Sequence, residues 1–345
     1  VRSEEAVGAG EAAGARGGTK AGKAGGTAGD GTRTGKAAGV LGGTKAAPFP
    51  VLAEPVAPDG ARLVVRVHAR PEPTAPVVVV LPAMGTPARH YTPLARALHR
   101  RGATVVTVDP RGHGESVPVP ARGVRFGYRE LVEHDIGAVL DAVARAFPGA
   151  PRLILGHSLG GQLGLVHCGL LRPRLDGVVL VASGSAWWRT LGPSGARWLA
   201  RSLLCVAGAE LLGYWPGHRL GFGGRESVGL MRDWARQLRT GRYAADHEEA
   251  LRGVALPVLA VDVEHDALAP ARAVDHLCAK LPSARVERWT YRTADAGGRD
   301  LDHFRWIRHN AGLVERIAAW AGFPEPAGET GDAGRSASAA SGAPA

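Results

Sequence analysis

Short apolar runs punctuate the middle of the chain, separated by longer stretches in which apolar residues recur every three or four positions. The runs Leu63–Val67, Val77–Leu81, Thr104–Val108, Leu153–Leu155, Val178–Val181, Val258–Val263 and Arg285–Tyr291 predict strands. The amphipathic stretches predict helices over Tyr91–Arg101, Tyr128–Phe147, Leu159–Leu171 and Ala271–Leu281. Val77-Val78-Val79-Val80-Leu81 contains no polar position, which suits a parallel strand covered on both faces rather than one with a wet side. Strands alternating with helices predict an α/β fold with a mostly parallel central sheet flanked by helices.

The alternation stops between Ser185 and Leu251, where helical, Trp- and Arg-rich sequence intervenes before strand-forming residues resume at Pro257. This predicts a helical cap at 185–251, set between two parts of one core at 48–184 and 252–323. Residues 1–47 are Gly, Ala, Thr and Lys with almost no large apolar side chain, and 324–345 are similarly poor; both are expected to be disordered tails. Leu153 to Leu171 has the length of a membrane span, but Gly156, His157, Ser158, Gly160, Gly161, Gln162 and His167 interrupt it. A strand, a sharp turn and a helix account for it better, and no transmembrane segment is expected.

Composition narrows the function classes. A 45% apolar share with Gly 49 and Pro 24 suits a globular core with flexible additions. Cys168, Cys205 and Cys278 are far apart and without C-x-x-C spacing, so neither a disulfide framework nor a zinc site is expected. The formal charge of +10 raises nucleic acid as a partner, yet the basic residues are scattered and form no concentrated run, so none is expected. Outside the first 45 residues Lys280 is the only lysine, and arginine supplies the remaining positive charge. No secretory pattern precedes the core, which favours the cytoplasm.

The candidate chemistry begins at Gly156-His157-Ser158-Leu159-Gly160, a G-x-S-x-G between the apolar Leu153-Ile154-Leu155 and a predicted helix. Such a turn needs small residues two positions either side of the serine, because larger side chains would meet neighbouring backbone. Gly156 and Gly160 meet that need, and the helix start offers the Leu159 N–H to developing negative charge. A serine hydroxyl requires a histidine base and a carboxylate to orient it, in the order Ser, acid, His. Asp266 is the preferred acid, since it sits late in the loop after Val258–Val261; Asp262 and Glu264 compete with it. His303 is the preferred base, in a loop after the last predicted strand, whereas His276 and His309 fall within helical patterns. A metal is not expected, because no H-E-x-x-H or similar ligand spacing occurs.

These residues, in this order, resemble the α/β-hydrolase superfamily over about residues 60–321. Asp109-Pro110-Arg111-Gly112-His113-Gly114-Glu115-Ser116 is similar to the D-x-R-G-x-G-x-S loop of lid-bearing members, where its role is mainly structural. Pro82-Ala83-Met84-Gly85 stands where many relatives have His-Gly, and the resemblance implies Met84 N–H as the second oxyanion donor. Asp302 stands where relatives often have Gly, placing a carboxylate where it can compete for the hydrogen bond of His303. The segments 82–85, 232–236 and 266–274 look like a subgroup known mainly from genomes, a likeness that carries no substrate.

The reaction so implied is hydrolysis of an ester, thioester or related acyl bond through an acyl-enzyme, without a cofactor. An acyltransferase on the same residues and a non-catalytic binding protein with this fold are the alternatives. Trp187, Trp188, Trp198, Trp215 and Trp234 all fall in the predicted cap, so the partner expected is a small acyl substrate held in an apolar, tryptophan-lined pocket, or else these rings are the cap's own core. Cap arginines such as Arg189, Arg201, Arg232 and Arg236 either attract anionic ligands or membranes or serve as solvated faces.

Overall fold

The computed structural model describes residues 49–324. The expected tails at 1–47 and 324–345 lie outside the described residues, apart from Pro324. The strands are β1 (Val51–Ala53), β2 (Val64–His68), β3 (Val77–Leu81), β4 (Thr104–Asp109), β5 (Arg152–His157), β6 (Gly177–Val181), β7 (Trp215–Pro216), β8 (Arg225–Glu226), β9 (Pro257–Val263) and β10 (Arg285–Tyr291). The helices are α1 (Thr92–Arg100), α2 (Tyr128–Glu130), α3 (Ile136–Ala146), α4 (Leu159–Leu171), α5 (Gly195–Leu212), α6 (Gly217–Leu220), α7 (Val228–Thr240), α8 (Ala245–Arg252), α9 (Ala271–Cys278) and α10 (Ala311–Ala321).

Eight strands make one sheet in the order β1-β2-β4-β3-β5-β6-β9-β10, antiparallel at the β1-β2-β4 end and parallel from β4 onwards. The apolar run of β3 is explained by two-sided burial. Val77, Val79 and Leu81 join one core cluster with residues of α3, α4 and α9, while Val78 and Val80 join a second with residues of α1 and α10. The sheet is thus a central layer between helices, as the alternation predicts.

Register decides where chemistry can gather. Leu81 pairs with Gly156 and His157 with Val181, so β3, β5 and β6 end nearly level; Val263 pairs with Tyr291 at the ends of β9 and β10. The loops leaving these strands therefore share one edge of the sheet, the carboxyl edge where open α/β sheets hold their sites.

Four features depart from the sequence reading. β1 adds an antiparallel edge strand whose three residues are too few to show alternation. The predicted helix over 128–147 is broken by a π-turn at Leu131–Asp135, which carries the Asp135 carboxylate to Arg111. The region between β6 and β9 is helical, with α5 to α8, but also pairs β7 with β8. His309 lies in a bend ahead of α10 rather than in a helix, and its carbonyl accepts the Tyr291 hydroxyl at 2.7 Å.

The inserted α8 packs on α4 so closely that a Cβ built on Gly169 would lie 1.8 Å from the Ala250 carbonyl oxygen. Gly169→Ala is expected to destabilise the protein by about 1–3 kcal/mol, as overpacking does. A lower urea midpoint with unchanged slope would show it, and an unchanged midpoint would mean that α8 shifts freely.

Candidate active site

Ser158 occupies the turn between β5 and α4 with φ 51° and ψ −119°, a backbone conformation that costs a side-chain-bearing residue about 1–3 kcal/mol. Glycines hold it there. A Cβ on Gly156 would fall 2.2 Å from Gly161 Cα, and one on Gly160 would fall 2.3 Å from the Leu81 carbonyl oxygen. The requirement for small residues on both sides of the serine is therefore a matter of backbone contact at both positions.

Ser158 Oγ lies 3.0 Å from His303 Nε2, and His303 Nδ1 lies 2.7 Å from Asp266 Oδ2. The other oxygen, Asp266 Oδ1, accepts the backbone N–H groups of Leu268 at 2.8 Å and Ala269 at 2.9 Å. A carboxylate only accepts, so Nδ1 of His303 carries the hydrogen toward Asp266 and Nε2 is left to accept from the serine hydroxyl. Asp266 and His303 are both buried, and Ser158 is half-buried at the sheet edge. His265, at φ 64°, turns the chain sharply after β9 just before Asp266.

The competing carboxylates are engaged elsewhere. Asp262 remains in β9 and accepts from Arg288 at 2.9 Å; Glu264 accepts the Thr293 N–H at 2.6 Å. Asp302 does not bond the imidazole: its Oδ1 accepts the N–H groups of Phe304 and Arg305, at 2.8 and 2.7 Å. His276 lies on α9 against the Trp187 ring.

Met84 and Leu159 line one cavity, Met84 from the loop after β3 and Leu159 as the first residue of α4. An amide at the first helical position has no acceptor within its helix, so the Leu159 N–H is available to a ligand. Sequence reasoning missed Tyr91, which ties this loop to the elbow. Its fully buried hydroxyl accepts the Ala83 N–H at 2.8 Å and donates to His157 Nδ1 at 2.8 Å. The residue signals nothing in the sequence, because a single tyrosine at the start of a helix is ordinary.

Residues 72–214 match the family described as Serine aminopeptidase, S33. The monoacylglycerol lipase of Mycolicibacterium smegmatis is 34% identical over 89 residues, 25% of this chain and 30% of the lipase. The chain therefore spans about a third of that relative's length. The enol-lactonase of Burkholderia xenovorans superposes with a TM-score of 0.52 at 18% identity, covering 78% of this chain and 99% of the lactonase. Est1E of Butyrivibrio proteoclasticus, solved with ferulic acid bound, superposes at 0.53 and 14% identity, covering 78% and 99%. The chain has the α/β-hydrolase fold.

Within this fold the loop 109–116 is a scaffold. Ser116 Oγ donates to the Asp109 carbonyl at 2.7 Å and accepts the Val64 N–H at 2.8 Å. Arg111 is bonded to both Asp135 and Asp59, and holds the Asp59 carboxyl down at about 2. The inserted tryptophans turn out to pack on their own surroundings: Trp198 and Trp234 each lie 5.0 Å from Phe222, and Trp215 Nε1 donates to the Phe222 carbonyl at 2.9 Å. None of them lines the cavity beside Met84 and Leu159, which is apolar through aliphatic residues such as Leu63, Leu81, Val139 and Leu163. Several arginines of the insertion are likewise used locally, Arg201 over Trp198, Arg232 on Glu210 and Arg236 on Asp233. Glu133, Asp246 and His247 bring three ligand-type atoms within 4.8 Å, but Arg129 is already paired with both carboxylates.

In the fold as it stands, Tyr91→Phe would leave the Ala83 N–H buried without an acceptor, a cost of about 1–3 kcal/mol. Thermal or urea unfolding is expected to show that loss; a neutral result would mean that the 83–85 loop relaxes onto another acceptor. Burial also holds His157 well below its ordinary 6.5 and lowers His167, so the unfolded chain takes up protons that the folded one refuses. This contribution to stability is complete above about pH 6.5 and lost progressively below it. Unfolding midpoints measured from pH 8 to 5 would test that direction.

Proposed function

We propose that the chain hydrolyses carboxylic esters or related acyl bonds, with Ser158 as nucleophile, His303 as general base and acid, and Asp266 as its orienting carboxylate. The observation that carries this reading is the unbroken path from Ser158 Oγ through both nitrogens of His303 to Asp266 Oδ2, at 3.0 and 2.7 Å. The names of the relatives agree with it, a lipase and a lactonase both being proteins that act on ester bonds.

The geometry supports the following sequence. Ser158 Oγ attacks the acyl carbon while His303 Nε2 takes its proton, and the imidazolium is stabilised by Asp266. The developing oxyanion is met by the N–H groups of Leu159 and Met84, each such donor being worth about 10²–10³ in rate where it has been measured. His303 then gives the proton to the departing oxygen, leaving an ester on Ser158. Water, deprotonated by the same nitrogen, releases the acid and restores the serine. The helices and paired strands between β6 and β9 serve in this reading as a cap over the edge from which substrate arrives.

A fluorophosphonate probe is expected to add its mass to the peptide bearing Ser158, and to nothing in Ser158→Ala. Asp266→Asn is expected to lower kcat/KM on a p-nitrophenyl ester by about 10⁴, through loss of the productive imidazole tautomer, with the circular dichroism spectrum retained. Absence of labelling in the folded wild-type protein would defeat the reading in favour of a binding protein.

A further inference from the structure

One residue lining the cavity beside Met84 and Leu159 carries a buried side-chain oxygen that has no hydrogen-bond partner in the fold. The cavity's volume is about 60 Å³, and at ~10–15 Å³ for each water-sized sphere it admits about four to six heavy atoms. Its walls are mostly aliphatic, and Arg111 and Asp135 at its margin are bonded to each other. The exception is Glu226 of β8, whose side chain is fully buried.

The two carboxylate oxygens of Glu226 are treated differently. Oε1 accepts the Gly224 N–H at 2.9 Å and lies 3.2 Å from His113 Nε2. Oε2 is buried with no hydrogen-bond partner. His113 Nδ1 faces the Arg111 carbonyl at 3.3 Å. Both ring nitrogens therefore meet atoms that only accept, which requires the imidazolium form. Burial opposes charge on either group, yet each holds the other charged: the Glu226 carboxyl below its ordinary range and the His113 imidazole above it. The pair is neutral as a unit. An unpaired oxygen in such a place costs free energy unless a ligand supplies a donor.

The position of Glu226 says which part of a substrate would meet it. A Cβ built on Gly223 would lie 3.6 Å from the Met84 sulfur and 3.7 Å from Glu226 Cγ, so β8 and the turn before it flank the loop that offers the Met84 N–H. His303 does not line the cavity. The leaving oxygen must face His303 to receive its proton, so the group that enters beside Met84 and Leu159 is the acyl substituent. Because the pair is already neutral, an ammonium donor would leave a net charge buried in this apolar wall, which favours a neutral donor.

We propose that this cavity is the acyl subsite and that Glu226 selects short acyl groups bearing a hydroxyl, with Oε2 accepting that hydroxyl's hydrogen bond. The inference rests on the hydrolase reading above. The test compares p-nitrophenyl acetate, butyrate, both enantiomers of 3-hydroxybutyrate, 3-aminobutyrate and 3-oxobutyrate on the wild-type protein and on Glu226→Gln. In the wild type, one hydroxybutyrate enantiomer is expected to exceed butyrate in kcat/KM by about tenfold, as a hydrogen bond to a charged acceptor provides. In Glu226→Gln the amide oxygen is held by Gly224 N–H and His113, so the NH₂ replaces Oε2. The hydroxyl preference is then expected to disappear and 3-oxobutyrate to overtake 3-hydroxybutyrate, a reversal that a merely structural role would not produce.

Butyrate hydrolysed as well as hydroxybutyrate by the wild type, an unchanged preference in Glu226→Gln, or 3-aminobutyrate as the best substrate would each overturn the proposal. The wild-type series decides it even where the variant fails to fold. No turnover of any ester, acetate included, together with no fluorophosphonate label on Ser158, would overturn the hydrolase reading and this inference with it.

Discussion

The backbone of Ser158 is held in a conformation that its own side chain disfavours, and much of the surrounding structure exists to keep it there. Its N–H donates to the Val181 carbonyl at 3.2 Å, and its carbonyl accepts from Ser183 Oγ at 2.5 Å and from the amides of Gly161 and Gln162. The glycines at 156 and 160 let backbone meet backbone where any Cβ would overlap, and Gly161 leaves room for the Ser183 side chain. A strained turn persists only when its neighbours over-determine it. Here that means a strand buried on both faces, a following helix buried along most of its length, and β6 in register beside them.

Once the elbow is fixed, parallel pairing does the rest of the positioning. The strands that end beside β5 deliver their loops to the same edge, and the reach from β9 and β10 is short enough for Asp266 and His303 to close on Ser158 although 145 residues separate His303 from it. Tyr91 supplies the cross-link that the sheet cannot. It joins the loop after β3 to the residue preceding the serine, so the loop bearing Met84 and the turn bearing Ser158 belong to one hydrogen-bonded unit. His157 stays neutral in that unit, because burial and the neighbouring His303 both oppose its charge. A neutral ring is what allows its Nδ1 to accept from the tyrosine.

What the sequence made legible follows the range over which each signal acts. The strand β3 and the helix α4 are readable to the residue, since continuous burial leaves a continuous apolar run and the elbow demands glycine at fixed offsets. Asp266 and His303 were singled out from chain order and loop position, and the structure brings both to Ser158. The π-turn at 131–135 was not legible, because its cause is Arg111, twenty or more residues away, drawing in Asp135. The β7–β8 pair is two residues per strand, too short for any period. The tryptophans left two readings open for a related reason. Composition says that large aromatic side chains must be buried, but not against what, and here Trp198 and Trp234 pack against Phe222 and each other while Trp187 packs on His276.

The pairing of His113 with Glu226 shows how one loop can serve two masters in the fold. Asp109, Arg111 and Ser116 fasten the loop 109–116 to β2, to the π-turn and to the segment entering α1, while His113 from the same loop reaches the insertion. The contact is completed by backbone: a Cβ on Gly85 would fall 2.2 Å from Gly224 N, so neither the loop after β3 nor the turn before β8 has room for a side chain between them. The walls at this end of the cavity are thus set by main-chain contact and a buried charge pair, which admit little adjustment, and not by the aromatic side chains of the insertion. Selectivity located here would be rigid and would depend on hydrogen bonding more than on size. It would also be inseparable from the placement of Met84, because the same backbone contact that shapes the cavity holds the loop that bears its amide.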